Sequence, residues 1–220
     1  MRWSLAFVPS PFKSVGNYLS LDGQRLFTCI SGQRFQLLLL DGSPWALVPK
    51  SPRRFRAGPD LGMLVAILGD EGDQTIRVND DLFGPFDTID LPAWPNFAAA
   101  PKSIAFRFVR RGKVWMHVDG FEFGPYDDAD TPTLLDDSAV YRFRRGNEHY
   151  VFANGEEYGP FDHIDTRVVA HGGRLAFVAG HGGKSQLWLD GQPTGEYCRR
   201  ADVAFSDDGQ RTAIVYRRND

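Results

Sequence analysis

Short apolar segments alternate with polar turn residues along the whole chain. Segments such as Ser103–Val109, Lys113–Val118 and Arg174–Ala179 have the length of a strand and are rich in β-branched and aromatic residues. Dipeptides typical of tight turns, namely DG, GP, ND, NG and GG, separate them. Because no long segment has apolar residues at i, i+3, i+4 and i+7, the pattern predicts an all-β chain without helices.

The chain also repeats itself. The tetrapeptide GPFD or GPYD occurs at 84–87, 124–127 and 159–162, where we expect Gly-Pro to form a turn. A turn pair precedes each copy, and such pairs recur at intervals of 38, 40, 35 and 36 residues. The pairs are Asp41-Gly42, Asn79-Asp80, Asp119-Gly120, Asn154-Gly155 and Asp190-Gly191. Repeats of this length, made of strands alone, are typical of β-propellers.

The ends of the chain look like two parts of one further repeat. A turn followed by a small apolar strand occurs six times, whereas the turn pair occurs five times. Ser10-Pro11-Phe12 lies 15 residues before Arg25, as Gly159-Pro160-Phe161 lies 15 residues before Arg174. The sequence therefore predicts a single domain over residues 1–220, a six-bladed β-propeller whose ring is closed by strands from both termini. A five-bladed ring, with the N-terminal segment outside it, is the alternative.

Aligned repeats contain constant and variable positions. One position is apolar in all five copies: Leu38, Ile76, Met116, Val151 and Leu187. The next position varies: Leu39, Arg77, His117, Phe152 and Trp188. This alternation is typical of a strand that packs firmly on one face.

The repeats resemble those of the TolB-like, WD-repeat-like propeller group. The best matches are HGGRLAFVAGHGGKSQLWLDG at 171–191 and SDDGQRTAIVYRR at 206–218. The resemblance implies a propeller, and relatives of this group serve as protein-binding platforms. It implies no catalytic residue, because a fold by itself does not supply a function.

Composition narrows the class of protein further. The chain has 220 residues and a net charge of −3, which does not favour nucleic-acid binding. Its two cysteines do not make a disulfide framework. No apolar run approaches the roughly 20 residues of a membrane helix, and the N-terminal apolar stretch is short for a secretory signal. We therefore expect a cytoplasmic protein with neither a nucleic-acid nor a membrane partner.

Acidic residues recur at fixed distances after the Gly-Pro pairs. The first set is Asp87, Asp127 and Asp162. The second set is Asp90, Asp130, Asp165 and, by alignment, Asp202. In a propeller these carboxylates would face a common mouth, where they could bind a cation or attract a basic partner. The alternative is that they accept hydrogen bonds from backbone N–H groups in turns.

Two further segments could contact a partner. Arg53 and Arg54 lie in the basic stretch 50–56, and Trp94 and Phe97 lie in a proline-rich stretch. Exposed aromatic residues are good interface anchors. The five histidines have no metal-ligand spacing, so we expect solvated histidines in turns.

The sequence contains no G-x-S-x-G nucleophile elbow, no G-x-x-x-x-G-K-S/T phosphate-binding loop and no H-E-x-x-H zinc motif. The sequence therefore predicts a non-catalytic protein-binding module with no cofactor and no metal, for instance an inhibitor or antidote of a partner protein. The alternatives are a metal-assisted hydrolase or lactonase that uses the axial carboxylates, and a purely structural subunit.

Overall fold

The computed structural model describes residues 14–20, 23–49, 55–57, 62–91, 104–135, 138–164, 168–198, 200–206 and 208–217. These residues form strands and turns but no helix, so the all-β prediction is confirmed for them. It follows that no helix in the described ranges is long and apolar enough to cross a membrane. The strands form antiparallel sheets, and nearly every strand pairs with its neighbour in the chain.

The chain divides into two compact units, Met1–Ile89 and Asp90–Asp220. The first unit contains two four-stranded sheets whose strands are hydrogen-bonded in chain order. One sheet consists of β1 (Ser14–Leu19), β2 (Leu26–Ser31), β3 (Phe35–Leu40) and β4 (Ser43–Pro49). The other consists of β5 (Phe55–Ala57), β6 (Leu64–Leu68), β7 (Gln74–Val78) and β8 (Asp81–Phe86).

The sheets of the second unit repeat this strand order. The first contains β9 (Thr88–Asp90), which ends at the first residue of the unit, β10 (Ala105–Arg110), β11 (Lys113–Val118) and β12 (Phe121–Tyr126). The next contains β13 (Asp128–Ala129), β14 (Thr133–Leu135), β15 (Ser138–Arg145), β16 (Glu148–Ala153) and β17 (Glu156–Phe161). The remaining strands are β18 (His163–Ile164), β19 (Val169–His171), β20 (Arg174–His181), β21 (Lys184–Leu189), β22 (Gln192–Tyr197), β23 (Arg200–Phe205) and β24 (Thr212–Arg217).

In two of these sheets the first strand is interrupted. Strands β13 and β14 both pair with β15, and β18 and β19 both pair with β20. Asp130 lies in the first interruption, between β13 and β14. The backbone of Asp130 therefore lies between two short strands that are both hydrogen-bonded to β15.

The chain thus has the fold class that the repeats predict, a series of blade-like antiparallel sheets. In the described residues the last sheet has two strands, β23 and β24. The predicted contribution of residues 1–9 to that sheet concerns residues outside the described ranges. Closure of the ring, the number of blades (six or five) and the single domain therefore stay predictions.

The repeated turn pairs have two roles. Their first residue has a φ between 47° and 53°, a left-handed conformation that Asp and Asn tolerate better than most residues. In four of the five pairs its side chain also accepts a hydrogen bond from the backbone 15 residues earlier, as when Ile104 N–H donates to Asp119 Oδ1 at 2.7 Å. The same bond joins Leu26 to Asp41, Leu64 to Asn79 and Leu175 to Asp190. One side chain therefore shapes the turn and ties down the start of the second strand.

The Gly-Pro pairs lie inside strands β8, β12 and β17, so the expectation that they form turns is wrong. Their peptide bonds are cis, and the glycine φ lies between 125° and 141°. The pairing with the preceding strand shifts register at this point. A Cβ atom on Gly124 would lie 3.0 Å from the Val114 carbonyl oxygen. The repeated motif therefore marks a bulge where the strand approaches its neighbour too closely for a side chain.

The constant apolar position is buried throughout, with exposures of 0% or 1% from Leu38 to Leu187. The interpretation that only one face is packed is wrong in the second unit. His117, Phe152 and Trp188, from the variable position, stack on Phe106, Tyr141 and Phe177 respectively. Both faces of the β13–β17 sheet are covered, because it packs against the β9–β12 sheet on one side and against the β18–β22 sheet on the other.

His117 also departs from the expectation of solvated histidines. It is 3% exposed, and its Nε2 atom accepts a hydrogen bond from Gly120 N–H at 3.2 Å. Burial lowers the pKa of His117, against smaller opposing effects of Glu122 and Asp119. The imidazole is therefore neutral at pH 7.

Candidate functional site

A cavity of about 200 Å³ lies beside the first strand of the β13–β17 sheet. Its charged and polar lining consists of Asp128, Asp130, Arg142, Arg144 and His149. The apolar part of the lining is Ala129, Phe143 and Ile164. These residues come from β13, β15, β16 and β18 and from the break after β13, so secondary structure holds almost the whole lining in place.

Strand register explains why three of the polar residues meet. Asp128 of β13 is paired with Arg144 of β15, and Arg144 is paired with His149 of β16. Paired residues in an antiparallel ladder have side chains on the same face. The three residues therefore form one polar row across three strands.

Asp130, a predicted site residue, makes an ion pair at the edge of this cavity. Its Oδ2 accepts a hydrogen bond from Arg142 Nε at 2.6 Å, and both side chains are partly exposed. Its backbone N–H donates to the Arg142 carbonyl oxygen at 2.9 Å. The backbone and the side chain of Asp130 thus both hold on to β15.

Asp90 makes the equivalent ion pair one sheet earlier. Its Oδ2 accepts a hydrogen bond from Arg107 Nη1 at 2.7 Å. Arg107 Nε donates to the carbonyl oxygen of Ala129 at 2.9 Å, and Arg107 Nη2 lies 3.9 Å from Asp128 Oδ1. Arg107 is 18% exposed, so it joins two neighbouring sheets from a largely buried position.

The motifs of the sequence did not point to these arginines, although the repeat contains a signal for them. Arg107 and Arg142 occupy the same position, three residues after the residue tied by the turn pair. The first unit has Cys29 and Ile67 there, and the β18–β22 sheet has Val178. A cation at a position that is elsewhere small or apolar is not needed for packing of the repeat.

The first acidic set has a structural role. Asp127 accepts hydrogen bonds from Lys113 Nζ and from Gly146 N–H, each at 2.6 Å. These hydrogen bonds, that of Lys113 first, lower the pKa of Asp127. Asp162 accepts a longer bond of 3.4 Å from Gly183 N–H. Hydrogen bonding to turn N–H groups is therefore confirmed for Asp127 and Asp162, and in both cases the turn belongs to the next sheet.

Of the other predicted site residues, the structure describes Asp202. Asp202 lies on β23, where it is paired with Val215 of β24, in a different sheet. Asp165, Trp94, Phe97, Arg53 and Arg54 lie outside the described residues. Their proposed roles in partner binding stay predictions.

The carboxylates of Asp90 and Asp130 were also predicted as candidate metal ligands of a metal-assisted hydrolase. In the ranges that the structure describes, no three residues among His, Cys, Asp and Glu are grouped so that they could hold a metal ion. Asp90 and Asp130 both point their carboxylates at arginines instead. The metal-assisted hydrolase stays a prediction.

Comparison with known proteins gives only distant similarity. No protein-family model and no curated protein matches the chain. One similar solved structure comes from a study of two prolyl endopeptidases, with 13% identity, a TM-score of 0.42 and coverage of 92% of this chain and 38% of that chain. The β-propeller domain of the Trilobed protease from Pyrococcus furiosus shows 13% identity, a TM-score of 0.41 and coverage of 87% and 73%.

A third similar structure is the acylaminoacyl peptidase of Pyrococcus horikoshii. It shows 15% identity and a TM-score of 0.36, over 87% of this chain and 39% of that chain. The chain thus spans well under half of the length of the prolyl endopeptidase and of the acylaminoacyl peptidase. At this level of similarity the comparisons say nothing about the residues of the site.

Proposed function

We propose that the chain is a non-catalytic protein-binding module whose binding face includes the ion pairs Asp90–Arg107 and Asp130–Arg142. The observation that supports this most is that two successive sheets present the same partly exposed ion pair. Ile67 and Val178 stand at the arginine position in other sheets, so the repeat does not require these pairs for folding. Charged groups arranged on a rigid surface favour recognition of a partner with complementary charge.

The resemblance of the repeats to the TolB-like, WD-repeat-like group also supports the proposal, since relatives of that group are protein-binding platforms. Inhibition of the partner is one consequence that such binding would have. A cytoplasmic location is part of the proposal, and it rests on the sequence.

Affinity capture with matched variants tests the proposal. The bait is the full chain, compared with the double variant Asp130→Ala/Arg142→Ala, which removes both charges and leaves neither one unpaired. The control is Arg110→Ala/Glu122→Ala, which removes a two-bond ion pair with distances of 2.8 Å from strands β10 and β12. We expect the wild-type chain and the control to retain one protein from native extract in stoichiometric amount, and the Asp130/Arg142 variant to lose it.

Binding of that protein is then measured with purified components. Loss of one partly buried, charge-assisted pair should weaken the affinity by roughly ten-fold or more. The proposal is overturned if no protein is retained in stoichiometric amount, or if the purified partner binds the Asp130/Arg142 variant as tightly as the control.

A further inference from the structure

Asp128 and Arg144 carry opposite charges on paired positions of β13 and β15, yet they do not form an ion pair with each other. Arg144 Nη1 donates to the Gly146 carbonyl oxygen at 2.6 Å. Among the described residues no carboxylate oxygen lies within 4.0 Å of the Arg144 guanidinium, although the group has five N–H donors. This cation therefore faces the cavity with most of its donors unused by the described part of the chain.

Asp128 is held away from Arg144 by other neighbours. Its Oδ1 accepts a hydrogen bond from Ala129 N–H at 2.9 Å and lies 3.9 Å from Arg107 Nη2. Arg107 is itself bound by Asp90 at 2.7 Å, so it neutralises Asp128 only in part. The Asp128 side chain is 69% exposed. An anion and a cation thus line the same cavity without forming an ion pair with each other.

The repeat does not need this pair of charges. Val109 and Gly180 occupy the position of Arg144 in the neighbouring sheets, and Thr88 and His163 occupy that of Asp128. The separated charges are a feature of this sheet alone among the three. A ligand that bridges them would satisfy both.

We propose that the cavity binds the zwitterionic head group of a small α-amino acid. The carboxylate would accept two parallel hydrogen bonds from the Arg144 guanidinium, whose planar fork matches a carboxylate. The ammonium group would lie against the Asp128 carboxylate, and a small apolar side chain would contact Ile164. A volume of about 200 Å³ fits one amino acid, since cavities for drug-sized ligands begin at about 300 Å³.

The lining favours a zwitterion over a singly charged ligand. Asp130 and Arg142 neutralise each other at 2.6 Å, and Asp128 and Arg144 add one charge of each sign. A lone anion would therefore be repelled by Asp128, and a lone cation by Arg144. This inference does not depend on a protein partner.

Three small probes separate these cases: the zwitterion L-alanine, the anion acetate and the cation methylammonium. Binding to the full wild-type chain is followed by ligand-observed NMR and by shifts of the backbone amides of β13 and β15. We expect saturable binding of L-alanine, and binding of acetate and methylammonium that is at least roughly ten-fold weaker, because each makes only one of the two charged contacts.

Two variants assign the contacts. Arg144→Gln and Asp128→Asn should each weaken L-alanine binding by roughly ten-fold or more, whereas Arg111→Gln, on the neighbouring exposed hairpin, should leave it unchanged. Equal binding of acetate or of methylammonium by the wild-type chain overturns the proposal, as does the absence of saturable L-alanine binding. These outcomes concern the wild-type chain, so they stand even if a variant fails to fold. Capture of a protein partner is measured separately, so the two proposals can fail independently.

Discussion

Replacing Tyr126 by phenylalanine is expected to destabilise the second unit, although Phe86 and Phe161 occupy the equivalent positions of other sheets. Tyr126 and Tyr141 are 1% and 2% exposed, and their hydroxyl oxygens are 3.2 Å apart. Burial raises the pKa of both hydroxyl groups, so both remain protonated across the neutral range. The two hydroxyls are therefore buried polar groups that satisfy each other.

The expected loss of stability depends on whether a substitution leaves a buried hydroxyl group without its partner. Tyr126→Phe leaves the Tyr141 hydroxyl buried without its partner, which costs about 1–3 kcal/mol. Tyr141→Phe leaves the Tyr126 hydroxyl in the same state, with a similar cost. The double variant removes both hydroxyls and leaves apolar rings of nearly the same shape, so it should be close to the wild type in stability. Each kcal/mol corresponds to a shift in Tm of roughly 2–4 °C.

Urea denaturation of the four proteins, followed by tryptophan fluorescence, measures the free energies of unfolding for a double-mutant cycle. Tyr150→Phe is the control, because the Tyr150 hydroxyl donates to Glu148, a contact between exposed groups, and its loss should cost little. If the double variant is as unstable as the two single variants added together, the hydroxyls do not form a buried pair and the packing described here is incorrect.

Three further outcomes are expected. Because burial lowers the pKa of His117, the unfolded chain takes up a proton at a higher pH than the folded chain. The stability contributed by neutral His117 is complete above about pH 6.5 and should fall as the pH drops below that value. Denaturation at a series of pH values should show a weaker fall for His117→Phe, which places the residue of Phe152 in the next sheet at this position. Arg111→Asn should raise the free energy of unfolding by up to about 1 kcal/mol, because Arg111 has a φ of 54° and Asn tolerates this conformation better than Arg. The substitution also creates an Asn-Gly pair with Gly112, which favours tight hairpin turns. An unchanged or lower Tm would contradict this reasoning. Gly124→Ala should destabilise the folded chain by about 1–3 kcal/mol, because Gly124 has a φ of 131° and an added Cβ atom would press on the Val114 carbonyl oxygen. An unchanged Tm in thermal denaturation would show that the bulge can rearrange.

Much of the fold could be predicted because it depends on local pattern. Apolar runs between turn pairs gave the strands, since side chains on a strand alternate between two faces and turns need residues that tolerate special backbone angles. The constant position from Leu38 to Leu187 marked the buried side of the third strand in each repeat. The stacking of His117 on Phe106 was missed, because it depends on the pairing of β10 with β11, which the alternation of positions along a single strand does not show.

The candidate site illustrates the same division. The sequence by itself determined that carboxylates recur after each Gly-Pro pair, and Asp90 and Asp130 do occupy equivalent places. Their arginine partners lie 17 and 12 residues further along the chain, because the connecting segments differ in length. Only the tertiary structure decided that Asp130 meets Arg142 and that Asp128 and Arg144 flank a cavity. Spacing along the chain determines which strand and face a residue belongs to, whereas the pairing of strands and the packing of sheets determine which charges meet.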